Sequence, residues 1–189
     1  MRLVLASSSP RRRELLGRLG LEPARIISPD IDETPLKGEL PRTYVLRMAE
    51  EKARAVTRAD DEIILAGDTT VAVGRRILGQ PEDDAEQRRF LELMSGRRHH
   101  VLSAVSVIDC AGRLRTRLSD SQLRFKQLHP DEIAAYIASG EGAGKAGGYA
   151  IQGRAEALIE WMAGSYSGVM GLPLAETRKL LIAAGLSLD

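Results

Sequence analysis

Cysteine and aromatic side chains are scarce in this 189-residue chain, which holds one cysteine and an aromatic fraction of 4%. A lone thiol, Cys110, excludes an intrachain disulfide and a cysteine-built zinc site, and it suits a reducing compartment. With few rings available, aliphatic side chains must build the core. Neither sign of charge dominates: 27 basic and 26 acidic residues leave a net charge of +1. No basic arm or stripe stands out, so nucleic acid is not an expected partner. No apolar run is long enough to span a bilayer, and the opening residues are too short an apolar stretch for a signal peptide. The expectation is a cytoplasmic protein with no membrane partner. Phosphate-binding P-loops, dinucleotide fingerprints and nucleophile elbows are missing as well.

What is present is a pattern of strands and helices in one domain, 1–189, with two lobes around a cleft. Leu3–Ala6 reads as a buried strand. Ser9 then stands as an N-cap and Pro10 as a first helical residue, with the helix running to Gly20. Ile26-Ile27 reads as a short strand and residues 28–38 as an acidic, proline-containing loop. A helix follows from Pro41 to about Thr57, with Val45, Ala49, Ala53 and Val56 as its apolar stripe. Ile63–Ala66 reads as a buried strand ending at Gly67-Asp68-Thr69. Val71–Val73 and Ile77-Leu78 flank a turn, Gly74-Arg75-Arg76. Further on come a helix over 84–94, strands over 101–108 and 114–125, and a helix opened by Pro130. A flexible glycine-rich stretch over 140–148, a strand over 157–162 and a helix opened by Pro173 complete the chain. The mixture implies an α/β domain with a mixed sheet.

Several segments could carry chemistry. Ser7-Ser8-Ser9-Pro10-Arg11-Arg12-Arg13 places hydroxyls and cations at a helix N-terminus, which attracts anions; the same segment reads equally as a capped surface helix with solvated arginines. Asp68, with Thr69, sits where a buried strand ends, the usual place for ligands in open α/β sheets. Such an acid can activate water or hold a divalent metal, or it can cap a turn. Asp30, Asp32 and Glu33 form an acidic loop, Lys52 lies on a helix and Lys145 in the glycine-rich stretch; each reads also as solvated surface. The Gln152 amide, one donor side and one acceptor side, complements the N3–H and O4 edge of uracil or thymine. His99 and His100 are adjacent in a strand, so they face opposite sides and share no metal ion. Trp161 and Tyr166 read as packing residues, and Cys110 as inert.

Taken together and in order, these pieces resemble the Maf family. The matching segments are Leu5-Ala6-Ser7-Ser8-Ser9-Pro10-Arg11-Arg12, Asp32-Glu33, Glu51-Lys52-Ala53, Gly67-Asp68-Thr69 and Gly79-Gln80-Pro81. Leu93-Met94-Ser95-Gly96, Lys145 through Gly153, Gly164-Ser165-Tyr166 and Gly171-Leu172-Pro173-Leu174 complete them. The resemblance spans essentially the whole chain. It implies a long mixed sheet bent around a deep cleft, an inosine-triphosphatase-like architecture, in a homodimer that uses Mg²⁺ or Mn²⁺. It also implies hydrolysis of a nucleoside triphosphate to the monophosphate and pyrophosphate. By the same resemblance Asp68 is the general base, and Ser9, Arg12, Glu33 and Lys52 surround phosphates and metal, with Glu33 and Asp68 as metal ligands. Ser7 adds a phosphate contact. Tyr149-Ala150-Ile151-Gln152-Gly153 resembles the branch acting on dTTP and UTP, where Arg11, Thr69 and Gln152 set base specificity. Gln80 departs from the family's frequent lysine, and Arg75 or Arg76 is the nearest replacement cation. Modified pyrimidine nucleotides are alternative substrates. A catalytically weak nucleotide-binding regulator of cell division, acting through a protein partner, is the alternative function.

Overall fold

The computed structural model describes residues 1–188. Seven strands form one mixed sheet flanked by helices. In chain order they are β1 (Arg2–Ala6), α1 (Pro10–Gly17), β2 (Arg25–Ile26), α2 (Pro41–Arg54), β3 (Glu62–Val73), β4 (Arg76–Leu78) and α3 (Asp84–Met94). Then come β5 (Arg98–Ile108), β6 (Leu114–Phe125), α4 (Pro130–Ala138), β7 (Ile159–Ala163), α5 (Tyr166–Met170) and α6 (Leu174–Ala183). The strands run in the order β2-β1-β3-β5-β6-β7, with β4 also against β3. The β2–β1–β3 pairings are parallel and the rest antiparallel, so the expected mixed α/β sheet is borne out.

The sheet divides the apolar residues between its faces, as the two-residue period of a strand requires. Leu3, Leu5, Ile63 and Leu65 join Leu15, Leu16, Leu91, Met94 and Leu181 in the main core. Val4, Ala6, Ile64 and Ala66 face the other way and receive Ala53 and Val56, at and just beyond the C-terminal end of α2. Val45 and Ala49 of the same helix pack on Leu102 and Ala104 of β5. The small residues Ala49 and Ala53 let α2 lie close over β3 and β5. Truncating a fully buried leucine such as Leu65 to alanine should cost about 2–5 kcal/mol.

Three departures from the sequence expectations bear on function. The strand expected to end at Ala66 continues through Gly67-Asp68-Thr69 to Val73. The residues look like a turn in isolation, yet each pairs with β5, Asp68 opposite Ala104 and Thr69 opposite Ser103. Within the glycine-rich stretch, Gly142, Gly147 and Gly148 are packed, while Gly140 and Gly144 are exposed. The Gly147 N–H donates to the Gly79 carbonyl, and a Cβ on Gly147, whose φ is 70°, would lie 2.9 Å from Val71. Glycine serves close approach there and not mobility. Trp161, on the edge strand β7, and Tyr166, the first residue of α5, are exposed, with the Arg98 guanidinium 4.7 Å over the Trp161 ring.

Candidate active site

The site follows from how β3 is paired along one edge. Its first half, Glu62–Ala66, lies against β1, and its last residues, Val71–Val73, lie against β4. Between them, no described strand covers Gly67–Thr70 on that side. Here β1 has just ended and the chain turns away through Ser7-Ser8-Ser9. The resulting gap opens a cleft of about 960 Å³ reached from both faces of the sheet. Asp68 and Thr69 both line it, one on each face.

On the face covered by α2, charges converge. Lys52 is buried, and its ammonium donates to Asp68 Oδ1 and to Glu33 Oε2, each at 2.8 Å. An ammonium has three N–H donors, so one remains for a ligand. Asp68 is buried too, and its second oxygen has only a long 3.4 Å contact from Thr70 Oγ1. Tyr44 and Lys52 lie two helical turns apart on the same side of α2. The Tyr44 hydroxyl donates to the Glu33 carbonyl. Burial, with the negative charges of Asp68 and Glu33, pushes its pKa up to about 12, so it stays a neutral donor. Arg47, one turn from the same helix, grips Glu39 with two hydrogen bonds at 2.7 and 2.8 Å and also reaches the Thr34 carbonyl. This clamp holds the loop that carries Glu33, and it holds the Glu39 carboxyl down at about 2.

At the mouth of the gap, α1 supplies cations. Arg12 passes beside Gly67, where a Cβ would come 3.5 Å from its Nε, and donates to Ser7 Oγ and the Gly171 carbonyl. Arg11 donates to the Met170 carbonyl. The two arginines thus tie the first turn of α1 to the C-terminal end of α5, whose carbonyls are the negative end of a helix. Neither has a carboxylate within ion-pair distance among the described residues, and Lys145 shares that condition. Burial lowers the pKa of Arg11, Arg12 and Lys145 alike, and the neighbouring Arg11 charge pushes Lys145 down further. Cations gathered without counter-charges make a site for an anion. Arg13, by contrast, pairs with Glu22 at the surface, the solvated role open to all three in the sequence.

On the opposite face the groups are neutral. Thr69 Oγ1 lies 2.9 Å from Ser103 Oγ, and Ser103 donates to the Gly168 carbonyl at 2.6 Å. Gln152 is exposed at the cleft wall, following the buried segment Tyr149-Ala150-Ile151. That segment is fixed by Tyr149 Oη against His99 Nε2 at 2.8 Å and by the Ala150 N–H donating to Tyr136 Oη.

The structure therefore brings Ser7, Ser9, Arg11, Arg12, Glu33, Lys52, Asp68, Thr69 and Gln152 to one cleft. Ser9 begins α1, but its side chain makes no capping bond; the Ser7 hydroxyl accepts from the Ser9 N–H instead. Asp32 turns to its own loop, accepting from the Thr34 N–H, and does not line the cleft. Arg75 and Arg76 are exposed at the β3–β4 turn and do not line it either; Gln80 and Lys145 both line it, on segments joined by the Gly147 N–H donating to the Gly79 carbonyl. Sequence reasoning missed Tyr44, whose signal was its spacing from Lys52, and Ser103, which only the β3–β5 register could reveal.

Two carboxylates converging at one point do not enclose a cation, and no group of three or more acidic, histidine or cysteine ligands exists among the described residues. Glu33 and Asp68 fit a hard ion such as Mg²⁺, which takes one or two carboxylates and completes its shell with water and substrate phosphate.

A protein named dTTP/UTP pyrophosphatase from Sphingopyxis alaskensis is 63% identical over 98% of each chain. Proteins of the same name from Novosphingobium aromaticivorans and Cereibacter sphaeroides are 60% and 56% identical, over 97% and 100% of this chain and 92% and 97% of theirs. A dITP/XTP pyrophosphatase structure from Mycobacterium abscessus has 17% identity and a TM-score of 0.41 over 68% of this chain and 74% of its own. The family model described as Maf-like protein matches residues 2–184, and the chain belongs to the Maf family.

Proposed function

We propose that this protein hydrolyses dTTP and UTP to the monophosphate and pyrophosphate, keeping the nucleotide pool clean. The observation that carries the reading is the cleft itself: a buried Asp68–Lys52 pair joined by the exposed Glu33 on one face of β3, unpaired cations at its mouth, and neutral hydrogen-bonding groups on the other face. The full-length relatives named dTTP/UTP pyrophosphatase support the same substrates.

Water attacks the α-phosphorus, the bond to the bridging oxygen of the β-phosphate breaks, and pyrophosphate leaves. Asp68 accepts the water proton through the oxygen that Lys52 does not hold. Lys52 keeps Asp68 ionised and oriented, and its remaining N–H stabilises charge on the transferring phosphoryl oxygens. Arg12, Ser7, Ser9 and Lys145 bind the phosphate chain as its charge shifts toward pyrophosphate. Mg²⁺ or Mn²⁺ held by Glu33 and Asp68 would neutralise phosphate charge. Arg11, Thr69 and Gln152 receive the base across the gap. The chain works in the cytoplasm as a homodimer.

The test is pyrophosphate release from a panel of nucleoside triphosphates with Mg²⁺ or Mn²⁺. Turnover of dTTP and UTP, lost in Asp68→Asn, supports the reading. Tight nucleotide binding without turnover in the unaltered protein would instead favour a regulator.

A further inference from the structure

Thr69 and Ser103 face each other across the β3–β5 ladder with their hydroxyl oxygens 2.9 Å apart, and a third group decides which of them donates. Ser103 Oγ is fully buried and lies 2.6 Å from the Gly168 carbonyl, which can only accept. The one Ser103 proton is therefore committed to Gly168. The 2.9 Å contact between the hydroxyls then requires Thr69 to donate to Ser103. The other protein acceptor near Thr69, the Gly171 carbonyl at 3.5 Å, also takes a proton from it. In either arrangement the Thr69 hydroxyl turns its lone pairs, and no proton, toward the cleft that it lines.

We propose that Ser103 is a specificity-determining positioning residue, which fixes Thr69 as a pure hydrogen-bond acceptor and so selects a base bearing N3–H over one whose N3 is a bare lone pair. Uracil and thymine carry that N–H; cytosine carries the lone pair, and against Thr69 two acceptors would meet. Gln152 does not discriminate by itself, because an amide turned over exchanges its donor and acceptor sides. A hydroxyl locked from behind has no such alternative. The chain Gly168–Ser103–Thr69 also gives the buried Ser103 hydroxyl a partner on each side. This inference rests on the proposed role of Thr69 as a base contact.

The test compares kcat/KM for UTP and CTP. The unaltered enzyme should prefer UTP by about 10²-fold, as expected when a site groups a buried acceptor with a substrate donor. Ser103→Ala removes the nearer acceptor for the Thr69 proton and leaves only the long contact to the Gly171 carbonyl at 3.5 Å, which loosens the hydroxyl and should shrink the ratio about tenfold, chiefly by raising CTP turnover. Ser103→Thr keeps the hydroxyl and should keep the ratio. A Ser103→Ala enzyme that loses activity on both nucleotides in parallel, ratio intact, has a structural serine only and overturns the proposal. Independently of any variant's folding, 3-methyl-UTP should be as poor a substrate as CTP, and its turnover at the UTP rate would also overturn the proposal. Failure of the underlying reading looks different: an unaltered enzyme with no preference between UTP and CTP removes Thr69 as a base contact and this inference with it.

Discussion

Asp68 and Thr69 are neighbours in one strand, yet they face environments with opposite logic. On the α2 face, Asp68 sits among charges, Lys52 and Glu33, where each group has a counter-charge; Asp68 and Lys52 are buried and Glu33 reaches solvent. On the other face, Thr69 sits in a relay of neutral hydroxyls and carbonyls. Charges act on charge developing at phosphorus and are suited to rate. Fixed dipoles read the donor and acceptor pattern of a base and are suited to choice. The gap between β1 and β4 lets one ligand reach both faces, so a single extended strand carries both tasks one residue apart.

Asp68→Asn, which keeps the shape and a hydrogen bond to Lys52, should lower kcat by about 10³-fold on every nucleotide, with selectivity unchanged, in steady-state assays. Lys52→Met should lower kcat by about 10²-fold and also destabilise the fold by about 3 kcal/mol, since Asp68 is left buried without its partner; denaturant unfolding would show the second effect. Thr69→Val should reverse that pattern. It should leave kcat for UTP within about tenfold and reduce the UTP to CTP preference about tenfold. Arg47→Met frees the loop carrying Glu33, and a loss of about tenfold in kcat/KM with unchanged selectivity is expected.

The smallest effects concern pH. Glu39 is held at about 2 by Arg47, below its ordinary 4.5. Its stabilising contribution is complete above 4.5 and is lost as pH falls toward 2, and Arg47→Met should flatten that limb of the melting profile. His99 is held at about 4 by burial, below its ordinary 6.5. Stability is complete above 6.5 and falls between 6.5 and 4 as the unfolded chain takes up a proton the folded one refuses. Melting temperatures of His99→Gln should lack this step.

Much of the scaffold was legible in the residues. The apolar runs at Leu3–Ala6 and Ile63–Ala66, Pro10 and Pro41 at helix starts, and the Val-rich strand before Cys110 each mark an element that forms. The cleft residues were legible as well, because Ser-Pro-Arg, Asp68 and Gln152 fall in distinctive segments. What the sequence hid was pairing. Gly67-Asp68-Thr69 looks like a turn until β5 is placed beside it, and Ser103 looks like an ordinary strand residue until its partner across the ladder is known. Lys145 looked mobile among glycines whose actual role is to admit Val71 and Gln87 at close range. Trp161 looked like core because tryptophan usually is, while the edge position of β7 leaves it exposed.

The division of labour along β3 is tested most directly by measuring kcat/KM for dTTP, UTP and CTP with Asp68→Asn and Thr69→Val side by side. Asp68→Asn is expected to lower all three by a common factor and Thr69→Val to narrow the gap between UTP and CTP. A changed ratio in Asp68→Asn, or an unchanged ratio in Thr69→Val, would contradict it.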